Sequence, residues 1–190
     1  MKVSASSLAP ILRSDTQGRI YAQVMRDPED EHSLTDLARL TNTSLPTVQR
    51  EISRAEAAGI MTARTVGRSR LVKANSTHPL YDAIAKIVLT TYGPPAIVGD
   101  LLSGLRGVDE VYLFGSWAAR YQGTPGRWPN DIDVLVVGRP DRDEIHDQAE
   151  KAERRLGQPV QVTFRSRAQW RDSKDPFVTE LKSRPLVHIA

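Results

Sequence analysis

The stretch LFGSWAARYQGTPGRWPNDIDVLVVG, residues 113–138, carries the pattern that decides the fold of the second half of the chain. An apolar run that ends at Phe114 is followed directly by Gly115-Ser116 and then by residues typical of a helix. This order predicts a strand, a turn and a helix start, whose backbone N–H groups and serine hydroxyl can bind an anion. A Gly-Ser turn at such a place is more often only a turn, so the pattern alone does not establish a site.

Two carboxylates, Asp131 and Asp133, follow at the start of the next apolar run. Alternate residues of a strand lie on one face, so these two side chains are predicted to repel each other unless a cation lies between them. Mg²⁺ suits such a pair, because it takes a few carboxylate oxygens and completes its octahedron with water and phosphate. An isolated Asp-x-Asp is usually a solvated strand end, but its position after the Gly-Ser turn favours a metal site.

Together these residues resemble the minimal nucleotidyltransferase family of the DNA polymerase beta superfamily, over about residues 94–190. The resemblance implies an α+β fold with a small mixed sheet. It also implies that Gly115 and Ser116 bind the triphosphate of an NTP, and that Asp131 and Asp133 are catalytic carboxylates that bind Mg²⁺ or Mn²⁺. In that family the metal ions orient an in-line attack on the α-phosphate.

One position departs from the family pattern. A third carboxylate normally lies on a later strand, and the matching run here, PVQVTF at residues 159–164, has Gln161 instead. Glutamine does not accept a proton at neutral pH and is a poor replacement for an anionic metal ligand. Two functions therefore stay open: a domain that binds NTP without turnover, and an enzyme that transfers a nucleoside monophosphate to a protein, an RNA or a small molecule.

The first half of the chain has the pattern of short helices followed by a hairpin, read from apolar periodicity, capping residues and a Gly-containing turn. The hairpin loop is predicted at Gly67-Arg68-Ser69. The predicted segments are a helix that ends before Asp27-Pro28, a helix from Ser33 to about Asn42, a helix from Ser44 to Gly59 with Leu45 on its buried side, and strands over residues 60–66 and 70–74.

This order resembles the winged helix-turn-helix regulators of the ArsR and MarR type, over about residues 8–75. In such proteins the third helix enters the major groove of double-stranded DNA and the hairpin contacts phosphates. Residues 44–75 carry six Lys or Arg and two Glu, which fits that partner, although a solvated basic face is the alternative. The candidate DNA-binding residues are Thr47, Arg50, Arg54, Arg64, Arg68 and Arg70.

Three segments are predicted on these grounds: a DNA-binding domain over residues 1–77, a helix over residues 78–93, and the nucleotidyltransferase-like domain over residues 94–190. The helix ends abruptly at Gly93-Pro94-Pro95 and has an apolar stripe without an obvious partner in either neighbouring pattern. We therefore expect it to connect the domains or to form the contact of a homodimer, in which two hairpins reach two half-sites.

Composition narrows the remaining possibilities. The chain has 190 residues and no Cys, which excludes disulfides, thiolate metal sites and a thiol nucleophile. The net charge of +3 lies entirely in residues 1–92, with 12 Lys or Arg and 9 Asp or Glu. No membrane span or leader is readable, so the expected location is the cytoplasm. The leading hypothesis is a transcriptional regulator whose second domain senses a nucleotide or modifies a partner. The alternative is a toxin–antitoxin-like enzyme whose winged helix serves autoregulation.

Overall fold

The computed structural model describes residues 11–172 and 174–190, and the chain divides into two compact units. The first unit ends at Gly93 and the second begins at Pro94. The first ten residues of the predicted 1–77 segment lie outside the described residues. No helix in the described ranges combines the length and apolar character that crossing a bilayer requires.

From residue 11 onward, the first unit contains three helices, a hairpin and a closing helix, with a very short strand after the first helix. Its strands form an antiparallel sheet in the order β1-β3-β2. The three predicted helices and the hairpin are confirmed, whereas β1 is too short to leave a periodic pattern in the sequence. The elements are α1 (Asp15–Met25), β1 (His32–Ser33), α2 (Leu34–Leu40), α3 (Leu45–Ala57), β2 (Met61–Val66), β3 (Ser69–Ala74) and α4 (Tyr81–Tyr92).

The two ends of α3 are capped in different ways. The helix stops where Gly59 adopts a φ of 72°, and the N–H groups of Gly59 and Ile60 donate to the carbonyls of Glu56 and Ala55. This is the Schellman arrangement that a glycine permits. At the other end Ser44 is the N-cap residue, but its hydroxyl lies 2.9 Å from the Thr47 Oγ1 and makes no cap bond to the backbone.

Two details of the first unit differ from the sequence predictions. The hairpin loop has only two residues, because Ser69 already pairs with Val66. Gly67 takes a φ of 59°, which is typical of the first central residue of a type II′ turn. Leu45, predicted on the buried side of α3, is 45% exposed, because the buried face of the helix begins only at Val48, after its first three residues.

The apolar stripe of α4, for which the sequence shows no obvious partner in either neighbouring pattern, has one in the fold. It packs against α1 within the first unit. The Tyr92 hydroxyl donates to the Asp15 carboxylate at 3.0 Å, and the Tyr92 ring lies so close to Gly18 that no side chain fits there. The two helices are far apart in sequence, and periodicity within one segment does not show which distant segment covers it.

The second unit is a sheet with helices on both faces. Its strand order is β6-β5-β4-β7; β5 and β6 are parallel and the other pairs are antiparallel. Such a helix-rich unit with a small mixed sheet is compatible with the predicted α+β fold. The elements are α5 (Pro94–Leu102), β4 (Val108–Phe114), α6 (Gly115–Tyr121), β5 (Ile132–Gly138), α7 (Arg142–Leu156), β6 (Val160–Arg165), α8 (Arg167–Arg171), α9 (Pro176–Ser183) and β7 (Val187–His188).

Strand β5 lies at the centre and explains the continuous apolar run of residues 134–137. Its Ile132, Val134 and Val136 join the core formed with α5, α6 and α7. Leu135 and Val137 point to the other face, where α8 and α9 supply Trp170, Val178 and Leu181. Burial on both faces demands apolar residues at successive positions, and each such side chain contributes about 1.5–3 kcal/mol.

Candidate functional site

The two predicted metal-binding carboxylates lie at the start of β5. Ile132, between them, is fully buried against α5, α6 and α7, so Asp131 and Asp133 project towards the opposite face of the sheet. Asp131 is exposed immediately before the strand, and Asp133, the second residue of the strand, is half-buried. The structure therefore brings both carboxylates together at an accessible end of the central strand.

Contacts with the segment before β6 hold this end of β5. The Ile132 N–H donates to the Pro159 carbonyl at 2.9 Å, and the Gln158 side-chain amide donates to the Pro129 carbonyl at 3.1 Å. Gln158 is itself buried. These bonds fix the loop that leads into β5, so Asp131 and Asp133 belong to a supported backbone.

Electrostatically the pair carries uncompensated negative charge. No ion pair or hydrogen bond engages the carboxylate of Asp131 or of Asp133 within the described ranges. Burial raises the pKa of Asp133, and the neighbouring charge of Asp131 raises that pKa further. A bound cation reverses both costs, because it favours the ionised form of each carboxyl group.

Gly115 and Ser116 lie beside this pair. Phe114, the last residue of β4, pairs with Asp133, so α6 begins directly next to the carboxylate of Asp133. Trp117 is 1% exposed, and its ring stacks on Tyr121 at 5.0 Å and contacts Trp128. This buried anchor leaves Ser116 exposed and makes Trp117 a core residue that has no free face for a nucleobase.

Gln161 pairs with Asp133 on the adjacent parallel strand and is exposed. It therefore lies on the same face as the two carboxylates. Across residues 11–172 and 174–190, no group of three His, Cys, Asp or Glu side chains is arranged to hold a metal ion. The donor set fits one Mg²⁺ that takes oxygens from Asp131 and Asp133 and fills its other positions with phosphate and water, but it gives a second ion no further protein carboxylate.

The second candidate region is the exposed face of α3. A shallow depression there is lined by Pro46, Gln49, Arg50, Ser53 and Arg54. Arg50 donates to the Thr47 Oγ1 at 3.2 Å, so the side chain lies along the helix surface. Gln49, which the sequence prediction did not include, is exposed and lines the same depression.

Two of the three arginines of the hairpin, Arg64 and Arg70, are held by carboxylates from other segments. Arg64 on β2 makes two bonds to Glu31, from Nε at 2.7 Å and from Nη2 at 2.6 Å. Arg70 on β3 pairs with Glu56 of α3. The sequence did not show the pairing of Arg64, because Glu31 lies 33 residues before it and outside the basic window of residues 44–75.

The remaining candidate cations fall into two groups. Arg54 lies 3.0 Å from Glu51, which also accepts from Arg13. Arg50 and Arg68 form no ion pair in the part of the chain that the structure describes, and both are exposed. We call Thr47, Arg50, Arg54, Arg64, Arg68 and Arg70 the basic surface; only two of its five cations have no carboxylate partner there.

Comparison with curated proteins found no match, and comparison with solved structures found none either. A family model does match the second unit: residues 97–186 match the model described as a nucleotidyltransferase domain. The matched range contains β4, α6, β5 and β6. Within it lie Gly115, Ser116, Asp131, Asp133 and Gln161. Residues 97–186 are a nucleotidyltransferase domain.

Proposed function

We propose that this protein is a DNA-binding transcriptional regulator whose nucleotidyltransferase domain binds an NTP together with Mg²⁺ or Mn²⁺. The observation that carries the nucleotide half is the pair Asp131 and Asp133, which lies beside Gly115-Ser116 without a counterion among the described residues. The matched domain family supports NTP as the ligand class.

In the nucleotide site each residue has a distinct task. Asp131 and Asp133 would hold the metal ion, and the exposed Ser116 hydroxyl would donate to a phosphate oxygen. The metal ion, when bound, neutralises charge on the phosphates. Gln161, paired with Asp133, offers an amide where a proton acceptor is needed for transfer, which favours binding over turnover.

Calorimetry with ATP, GTP, CTP and UTP tests this half, each titrated into the full chain with MgCl₂ and then with EDTA. We expect at least one NTP to bind with Mg²⁺ and to lose its affinity in EDTA. Absence of binding for all four with Mg²⁺ or Mn²⁺ would refute the nucleotide site.

The DNA-binding half rests on the basic surface. Three helices precede a hairpin in the first unit, and the exposed face of α3 and the hairpin both carry cations. Such cations displace the counterions of DNA. The logarithm of the binding constant therefore falls with the logarithm of the salt concentration, with a slope of about −0.9 per phosphate contact. Within this proposal Arg50 and Gln49 would meet base edges, while Arg64, Arg68 and Arg70 would meet phosphates.

Fluorescence anisotropy with labelled duplex DNA at several salt concentrations tests the DNA-binding half. We expect binding that weakens steeply with salt. No binding to mixed-sequence duplexes at low salt would refute it. A homodimer is part of this proposal, and light scattering is then expected to give twice the chain mass of 21.1 kDa.

Active transfer is the second candidate, favoured by the match to the nucleotidyltransferase model. Its acceptor would be a protein, an RNA or a small molecule, and the winged helix would then regulate its own gene. Labelled NTPs with Mg²⁺ and cell lysate distinguish the two candidates: label transfer by the unmodified protein establishes the enzyme. Binding without transfer, with slow transfer gained in Gln161→Asp, supports a binding domain that lacks its third carboxylate.

A further inference from the structure

Gly115 is under two constraints at once. Its φ is 67°, a left-handed conformation that residues with a side chain rarely adopt. A Cβ added at this position would overlap Oδ2 of Asp133 and stand only 3.1 Å from its Cγ. The carboxylate of Asp133 therefore occupies the place that a side chain at Gly115 would take.

The register of the sheet explains this contact. Phe114 pairs with Asp133, and the chain leaves β4 for α6 at the next residue. The backbone of Gly115 is thereby laid against the Asp133 side chain. Not every turn glycine of this unit is so placed: Gly123 has a φ of 91°, yet nothing lies within 4 Å of a Cβ built there.

We propose that Gly115 is a positioning residue for Asp133: it leaves open the space that the carboxylate fills and so sets where that carboxylate meets a divalent cation. The Gly-Ser turn and the Asp-x-Asp pair then form one unit. The cation part of this inference rests on the proposed function, whereas the steric part does not require a ligand.

Gly115→Ala tests the consequence for the cation. The methyl group forces the end of the Asp133 side chain to rotate away, because a flexible carboxylate moves more easily than the backbone. Mn²⁺ alone, titrated into the full chain and followed by electron paramagnetic resonance, is expected to bind at least about tenfold more weakly than to the wild type, the loss typical of misplaced metal-site residues. Gly123→Ala is the matched control, with a positive φ but no neighbour, and its Mn²⁺ affinity is expected to be unchanged.

Urea unfolding of Gly115→Ala in two backgrounds tests the steric part. Asp133→Ala removes the carboxylate and leaves only a Cβ at an ordinary contact distance of 3.5 Å. We expect Gly115→Ala to lower the unfolding midpoint less in the Asp133→Ala background than in the wild type. If Gly115→Ala alone fails to fold, recovery of folding in the double variant supports the proposal and continued failure overturns it.

The two measurements separate this inference from the proposed function. If the wild type binds Mn²⁺ and Gly115→Ala binds it equally well, the positioning role is overturned. If the wild type binds no Mn²⁺, the proposed metal site fails, and the unfolding experiment alone decides: equal midpoint losses in both backgrounds overturn the inference, and a smaller loss in the Asp133→Ala background supports it.

Discussion

Charge is arranged in opposite ways in the two units. In the basic surface of the first unit, Arg54, Arg64 and Arg70 each lie against a carboxylate. At the start of β5 in the second unit, Asp131 and Asp133 lie together without a cation among the described residues. Exposed ion pairs contribute only about 0–1 kcal/mol, so a phosphate can displace them, whereas two neighbouring carboxylates gain from any divalent cation that joins them.

This difference in charge pairing determines what an anionic ligand of the first unit and a cation at Asp131 and Asp133 would each have to displace. An anionic partner of the first unit competes with Glu31, Glu51 and Glu56 for the same guanidinium groups. A cation at the second site meets no such competitor within the described ranges. Substitutions of the carboxylate pair are therefore expected to have the largest effect, and substitutions of the competing glutamates a smaller one of the opposite sign.

Removal of both carboxylates has the largest expected effect. Substitution of residues that only hold metal ligands in place typically lowers metal affinity by about 10- to 100-fold. Because Asp131 and Asp133 are the proposed ligands themselves, Asp131→Asn with Asp133→Asn should weaken Mg²⁺-dependent NTP binding by more than that. Calorimetry measures this. Asp147→Asn with Glu150→Gln, which removes the same charge from the exposed side of α7, is the control. Unchanged NTP affinity in the first variant would contradict the site.

The cations without carboxylate partners come next. Arg50→Ala with Arg68→Ala should lower the affinity for duplex DNA by at least about tenfold, because a bidentate contact of a guanidinium with guanine is worth about 1–3 kcal/mol and loss of a phosphate contact weakens binding further. Anisotropy at moderate salt measures the loss. Arg154→Ala with Arg184→Ala removes the same charge from the second unit and should leave DNA affinity nearly unchanged. If both double variants lost DNA affinity equally, the loss would reflect the total charge of the protein and not contacts made by the basic surface.

Release of the paired cations should act in the other direction. Glu31→Gln with Glu56→Gln frees Arg64 and Arg70, so DNA affinity should rise by about three- to tenfold, a small gain because neither ion pair is deeply buried. Glu150→Gln, which breaks the 3.5 Å ion pair with Arg154 on α7, is the control. A fall in DNA affinity, or an equal rise in the control, would argue against competition by these carboxylates.

The smallest effect concerns the pH dependence of folding. The pKa of Asp133 is raised in the folded state, so the folded protein binds the proton of this carboxyl group more tightly than the unfolded chain does. Proton binding therefore stabilises the fold at low pH, and this stabilisation is lost as the pH rises through the raised pKa. Asp133→Asn should therefore raise the urea midpoint in EDTA at pH 7, and the gain should shrink towards pH 4. Asp147→Asn should show no such gain. A lower urea midpoint for Asp133→Asn than for the wild type at pH 7 would show that the ionised carboxylate stabilises the fold, which contradicts this prediction.

Local signals predicted the elements well where the physics is local. Ser33 caps α2 through a 3.0 Å bond to the Asp36 N–H, and Gly59 ends α3, because capping needs only neighbouring residues. The pattern of residues 113–138 likewise predicted the strand, the turn and the carboxylates. The partner of α4 was missed, since long-range packing leaves no trace in the periodicity of one helix.

The sequence by itself determined the order of the candidate groups: Asp131 and Asp133 alternate before an apolar run, Gly115-Ser116 precede them, and Gln161 stands on the later run where the family that it resembles has a carboxylate. Only the tertiary structure decided how these groups meet. Pairing of β4 with β5 lays Gly115 against Asp133, and pairing of β5 with β6 places Gln161 beside it. Contacts between distant segments also pair Arg64 with Glu31. The sequence did not show this pair, because the free energy of a charge depends on its neighbours in space and not on its neighbours along the chain.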